Sequence, residues 1–262
     1  SWNEYKEFKQ FDTNRKEKEQ KECNNYMIYT SEGWSKINRI IRHKTEKKIY
    51  RITTHTSVVD VTEDHSLLDE NKNKLKPTEL KIGTKLLNNY PIYNSNNNHI
   101  KLQDIINFIN DIGNKPINIK KAFIYGFFYG DGSCGKYNCP SGLKYSWALN
   151  NSDIENCMTL QSLLIEIYDY NFKINDTIKS SGVYKIVPDK NIKVFVEEYR
   201  NIFYNKDKYK IIPSTILNGN KDIKYSFFSG YYLADGYKCY NTKSKNIILT
   251  NKGKIGTSML FN

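Results

Sequence analysis

The chain has 262 residues, 40 of them basic and 28 acidic, for a net charge of +12. That length can carry two domains with cores of their own, and the positive excess suits a partner that bears phosphate. No signal peptide opens the chain, the apolar run at 122–130 is far too short to span a bilayer, and five cysteines without CxxC spacing read as reduced thiols, so the expectation is an intracellular protein, not secreted and without membrane contact.

In chain order, residues 1–25 mix charges of both signs and read as a solvated helix or a loose segment. From Asn25 onward short β-rich runs succeed one another at 26–29, 34–41, 48–52 and 57–61. Their length and punctuation predict an all-β unit of hairpins. A polar stretch at 93–99 marks the boundary between this unit and the second part of the chain. Beyond it, 102–112 predicts a short helix with Leu102, Ile105, Ile106 and Ile109 on one face. A helix at 119–131 and strands near 135–137 and 145–150 come next. Ser152-Asp-Ile-Glu155 then reads as a capping box, opening a helix with Ile154, Cys157, Leu160, Leu164 and Ile167 inward. Strands near 172–178 and 183–187 lead to a helix whose Ile192, Phe195, Val196, Tyr199, Ile202 and Phe203 keep the 3.6 period. Pro213 marks a new start, before a helix at 222–235, strands near 237–240 and 246–250, and a helix from Lys254. The fold class is α+β. Eighteen basic residues face fourteen acidic ones up to residue 95, and twenty-two face fourteen after it, so the charge excess lies mostly on the second part.

Two segments repeat one pattern: Gly126-Phe-Phe-Tyr-Gly130-Asp131-Gly132 and Gly230-Tyr-Tyr-Leu-Ala234-Asp235-Gly236, with the Asp residues 104 positions apart. On a helix, the small residues at i and i+4 make a flat stripe where two backbones approach closely. The trailing Gly predicts a left-handed helix end. A carboxylate in a last turn faces the negative end of the macrodipole, so an acid placed there twice suggests a cation waiting for it.

The paired motif resembles that of LAGLIDADG homing endonucleases in their monomeric, two-motif form. The resemblance implies an αββαββα half at 119–206 and a second half at 207–262 that looks truncated, preceded by a linker and short helix at 96–118. It also implies a pseudo-dimer that binds a long asymmetric site on double-stranded DNA. Asp131 and Asp235 would then be the metal-binding catalytic acids, with Mg²⁺ or Mn²⁺ as cofactor. A two-carboxylate site suits in-line displacement at phosphorus, where attacking and leaving oxygens both need stabilising. Lys252, on a strand-to-helix corner, is the candidate for an assisting lysine. Lys136, Lys144, Lys173, Lys179 and Lys185 are expected on DNA-facing strands. Lys210, in Lys210-Ile-Ile-Pro213, resembles a block whose lysine lies near DNA.

The first part carries a second resemblance. Thr62-Glu-Asp-His65, between a β run and Ser-Leu-Leu, is similar to the Thr-x-x-His block of inteins, the self-splicing Hint domains that host such endonucleases. The wording from Ile41 to Leu68 resembles inteins of family B DNA polymerases of large DNA viruses. Residues 1–95 would then be a partial Hint domain, the partner a host polymerase, and the compartment the cytoplasm or a viral factory. His65 suits a general acid for a departing amide nitrogen, and Thr62 a donor to a tetrahedral oxygen. Ser1 and Asn262 lack the flanking patterns of splice junctions, so the chain is expected not to splice. His43 and His55 read as surface or hydrogen-bonding residues. Two alternatives stay open: the same fold as a DNA- or RNA-binding protein without cleavage, and a free-standing endonuclease with an unrelated β domain.

Overall fold

The computed structural model describes residues 9–10, 18–23, 25–30, 32–88, 100–206, 208–236, 249 and 254–260. The chain divides into two compact units, one of residues 1–54 and 58–96, the other of residues 55–57 and 97–261. The expected linker at 93–99, the strand expected near 237–240, that expected near 246–250 apart from residue 249, Lys252, Ser1 and Asn262 lie outside the described residues.

The first unit is built of short antiparallel strands. β1 (Lys9–Gln10), β2 (Lys18–Glu22) and β5 (Arg39–His43) make one sheet, β3 (Met27–Thr30) pairs with β4 (Gly33–Lys36), β6 (Ile49–Thr53) with β7 (Val58–Thr62), and β8 (Leu67–Leu68) with β9 (Lys74–Leu75). The helix or loose segment expected over 1–25 is thus corrected at β2. Its Glu19 faces Arg42 across the ladder and takes its guanidinium at 2.7 Å, the cross-strand pairing that holds a polar strand in register. The single run expected at 34–41 resolves into β4 and β5, which belong to different sheets.

The second unit keeps the order read from the sequence. Its elements are α1 (Leu102–Asn110), α2 (Ile117–Asp131), β10 (Gly132–Cys139), β11 (Gly142–Asn151), α3 (Ile154–Tyr168), β12 (Phe172–Thr177), α4 (Ile178–Ser181), β13 (Val183–Pro188), α5 (Ile192–Phe203), α6 (Ser214–Leu217), α7 (Lys221–Asp235) and α8 (Lys254–Met259). The chain is α+β. Three details differ from expectation. The apolar face of α1 centres on fully buried Ile105, with Phe108 set edge-on to Tyr225, while Leu102 and Ile106 stay exposed. At α3, Asp153 and not Ser152 is the N-cap, its carboxylate accepting from the N–H groups of Glu155 and Asn156. A carboxylate also suits the positive end of the helix. Strand β12 stops at Thr177 because Asp176 accepts from the N–H of Ile178 and starts the turn α4, so Lys179 sits on a helical turn rather than a strand.

Strands β10, β11, β13 and β12 lie side by side in that order, all antiparallel, and their register sorts the side chains by face. One face carries Cys134, Trp147, Leu149, Ile186 and Phe172 into a core shared with Phe128 of α2, Leu160 and Leu164 of α3 and Phe195 and Tyr199 of α5. Buried Lys120 of α2 pairs with Glu166 of α3, tying those helices together. The opposite face carries Ser133, Tyr137, Lys144, Ser146, Asn150, Lys173, Asn175 and Lys185, by the same alternation.

Candidate functional site

Helices α2 and α7 pack against each other through the repeated glycines. A Cβ placed on Gly126 would lie 1.9 Å from the carbonyl oxygen of Phe227, and one on Gly230 would lie 2.0 Å from that of Phe123. The interval of 104 residues between the motifs turns Gly126 into Gly230 and Phe123 into Phe227, so each contact is the counterpart of the other and the helices meet as a local pseudo-twofold. Only Gly lets backbones come this close. One turn on, a Cβ at Gly130 would lie 2.6 Å from the Cβ of Ala234 and 2.9 Å from Oδ2 of Asp235. The α7 carboxylate therefore rests against the residue that precedes Asp131. The two acids predicted from the repeat are brought together.

The trailing glycines do something other than expected. Gly132 (φ −81°) and Gly236 (φ −67°) are both extended, not left-handed. Gly is needed because the chain folds back on the last turn, where a Cβ would strike the ring of Phe128 at 2.2 Å or the carbonyl oxygen of Tyr232 at 2.3 Å.

Both acids are half-buried. Burial, together with the charge of Asp235, raises the Asp131 carboxyl to about 6, against the opposing pull of Lys210. Burial raises Asp235 as well, again opposed by Lys210. A cation that answers the two acids is thus present in the chain itself. Lys210 Nζ donates to the carbonyl oxygens of Phe128, Tyr129, Gly130 and Gly132 at 2.6–3.1 Å. Burial lowers its ammonium to about 8, while the two acids pull the other way. Lys210 is therefore engaged at the end of α2, not presented as the DNA contact expected of it. Asn150 Nδ2 donates to the carbonyl of Asp131 at 2.7 Å. Neither role was read from the sequence. The signal for Lys210 was its place directly before Ile211-Ile212-Pro213, an apolar run that carries a lysine inward.

Of the five lysines expected on DNA-facing strands, Lys144, Lys173 and Lys185 share the open face of the sheet. Lys173 is ion-paired with Asp189. Lys136 points to the helix side, over the ring of Tyr145 at 5.7 Å, which corrects its assignment. Lys179 is displaced to α4. In the first unit, Thr62 ends β7 and His65 closes a turn on it, its N–H donating to the Thr62 carbonyl. The Thr62 hydroxyl donates to Asp64, whose carboxyl is held down at about 2 by Lys47 and by that hydroxyl. His65 is exposed.

No family model matches the chain. It is similar to a DNA polymerase of Acanthamoeba polyphaga mimivirus, 46% identical over 263 residues, which is 99% of this chain and 14% of that protein. It is also similar to a DNA polymerase of Thermococcus sp. (strain GE8), 29% identical over 211 residues, covering 78% of this chain and 12% of that one. The chain spans about a seventh or less of the length of these curated relatives. Among solved structures it is similar to I-DmoI in complex with DNA and Ca, at 17% identity over 56% of this chain and 70% of that one, with a TM-score of 0.40. Mesophilic variants of the homing endonuclease I-DmoI match at 15% identity over 46% of this chain and 63% of theirs, with a TM-score of 0.34. Among the described residues, no helix is long and apolar enough to cross a membrane.

Proposed function

We propose that this chain comes from an intein lodged in a DNA polymerase, a LAGLIDADG-type endonuclease joined to a protein-splicing domain, which cuts both strands of a long asymmetric DNA site. The observation that carries the reading is the meeting of Asp131 and Asp235 at the ends of two helices packed through Gly126 and Gly230. A 263-residue likeness that fills this chain yet only 14% of a polymerase fits an inserted segment.

Among the described residues no three or more His, Cys, Asp and Glu side chains gather, so the donor set is a carboxylate pair. Such a pair suits Mg²⁺ or Mn²⁺, hard ions often held by one or two carboxylates with water and substrate phosphate completing the shell. When bound there, the ion would polarise the phosphoryl oxygens and make water a better nucleophile. Asp131 and Asp235 would hold it, one carboxylate from the end of each helix. Lys144 and Lys185 would meet phosphates from the open sheet face, and Asn175, beside Lys185 in the ladder, would face the same duplex. In the first unit the Thr-x-x-His resemblance assigns Thr62 and His65 to the splicing site. His65 would protonate a departing amide nitrogen, whereas the Thr62 hydroxyl must first leave Asp64 before it can donate to a tetrahedral oxygen.

The test is incubation with Mg²⁺ and a duplex of the polymerase gene with the inserted segment removed. Cleavage lost in both Asp131→Asn and Asp235→Asn supports the reading, and cleavage by either at the parental rate refutes it. One observation favours a second reading, binding of nucleic acid without cleavage: Lys210 already sets a cation beside the acid pair. In that case affinity for nucleic acid is independent of divalent ions and no Mg²⁺ titration perturbs Asp131.

A further inference from the structure

The last four carbonyls of an α-helix have no partner within it, and a left-handed glycine commonly closes the end. Helix α2 does not use that device, since Gly132 is extended. Apart from the Gly132 N–H, which donates to the Phe128 carbonyl, its end is closed by side chains from elsewhere in the unit. Lys210 takes the carbonyls of residues 128, 129, 130 and 132, and Asn150 takes that of residue 131. An ammonium has three N–H groups, so the four acceptors around Lys210 use all of them and share at least one. The backbone of Lys210 is itself held in place. It bridges Tyr204, and its carbonyl is approached by α8 at Gly256, where a Cβ would lie 2.8 Å away.

We propose that Lys210 is a positioning residue for the Asp131–Asp235 pair. By gathering the carbonyls on both sides of Asp131, it fixes the direction in which that side chain leaves α2 and hence the spacing of the two carboxylates. Asn150 is its second arm. The inference rests on the reading that the pair holds a metal, and it gives Lys210 a task distinct from contacting DNA. The sign of one effect separates positioning from plain charge. By Coulomb's law alone, deleting a nearby cation would tighten the binding of a divalent ion. Loss of positioning weakens it, as removal of residues that orient metal ligands does, by about tenfold or more.

The experiment compares Lys210→Met, Lys210→Arg and Asn150→Leu with the parental chain. Three quantities are read: amide hydrogen exchange along 128–135, Mn²⁺ affinity by electron paramagnetic resonance with duplex DNA present, and DNA affinity in EDTA. Met keeps the apolar stem but donates nothing, and the planar fork of Arg cannot converge on four carbonyls as an ammonium does. We expect Lys210→Met to speed exchange selectively at the end of α2, to weaken Mn²⁺ about tenfold and to leave DNA affinity in EDTA unchanged. Lys210→Arg and Asn150→Leu shift in the same direction with smaller effects. Tighter Mn²⁺ binding, a loss of DNA affinity with exchange unaltered, or faster exchange throughout the unit with Mn²⁺ binding intact would each overturn the proposal. Should Lys210→Met not fold, Lys210→Arg decides alone, and parental exchange and Mn²⁺ affinity in it would sink the idea. A parental chain that binds no Mn²⁺ defeats the metal reading, while the exchange measurement still tests the positioning.

Discussion

Replacing Asp131 by Asn should stabilise the metal-free protein at neutral pH. The folded state raises this carboxyl from 3.8 to about 6, because burial and the neighbouring Asp235 outweigh the attraction of Lys210. A raised carboxyl binds its proton more tightly folded than unfolded, so the penalty is absent below about pH 4, develops between pH 4 and 6, and is complete at pH 7. A shift of that size corresponds to at most about 3 kcal/mol, and partial solvation of a half-buried group trims it to about 1–2 kcal/mol. For a unit of this size that is a rise in Tm of about 2–8 °C. Urea unfolding of the parent and Asp131→Asn in EDTA, at pH 7 and at pH 4.5, is the assay. We expect the variant to be the more stable at pH 7 and the gap to shrink at pH 4.5. With Mg²⁺ at a hundredfold excess over its Kd the order should reverse, since the parent then gains about 2.7 kcal/mol from binding. A variant less stable than the parent at pH 7 in EDTA would show that Lys210 attraction exceeds the burial cost, and the reasoning fails.

Gly126→Ala should separate α2 from α7, because its Cβ would meet the Phe227 carbonyl at 1.9 Å. A loss of about 3 kcal/mol is expected in thermal unfolding, whereas Gly113→Ala, with open space around it, should be close to neutral. Lys144→Ala and Lys185→Ala should each lower the slope of log affinity against log salt by about 1 in DNA binding, while Lys136→Ala, on the other face of the sheet, leaves the slope unchanged. Asp153→Ala should cost about 1 kcal/mol as a lost N-cap, with Ser152→Ala within about 0.5 kcal/mol of the parent on the same denaturation curve.

The fold of the second unit was legible because its periodicities are long and unbroken. Ile192 to Phe203 keep one helical face, and two fifteen-residue helices announce themselves by the same small-residue stripe. The acid pair was legible for the same reason, since a repeated carboxylate at the wrong end of a helix has few structural excuses. The cation that answers it was not legible. Lys210 lies 79 residues after Asp131 and meets it only through the fold; the apolar run that follows it marks a lysine carried inward, but not the carbonyls it would meet there. Lys136 and Lys144 look alike in sequence, but their strands meet in a register that turns them to opposite faces, a choice set by pairing rather than by either residue. At Ser152-Asp153 two good caps stood side by side, and one residue of slip in the helix start decided between them.

The proposed function rests on a grip on one or more divalent cations by Asp131 and Asp235 together, beside a duplex. Crystals of the chain grown with duplex DNA and soaked in Mn²⁺ test it directly, by the position of the anomalous signal. The predicted result is a peak touching carboxylate oxygens of both residues, lost in Asp131→Asn. Manganese bound elsewhere on the protein, with none between these two side chains, would contradict it.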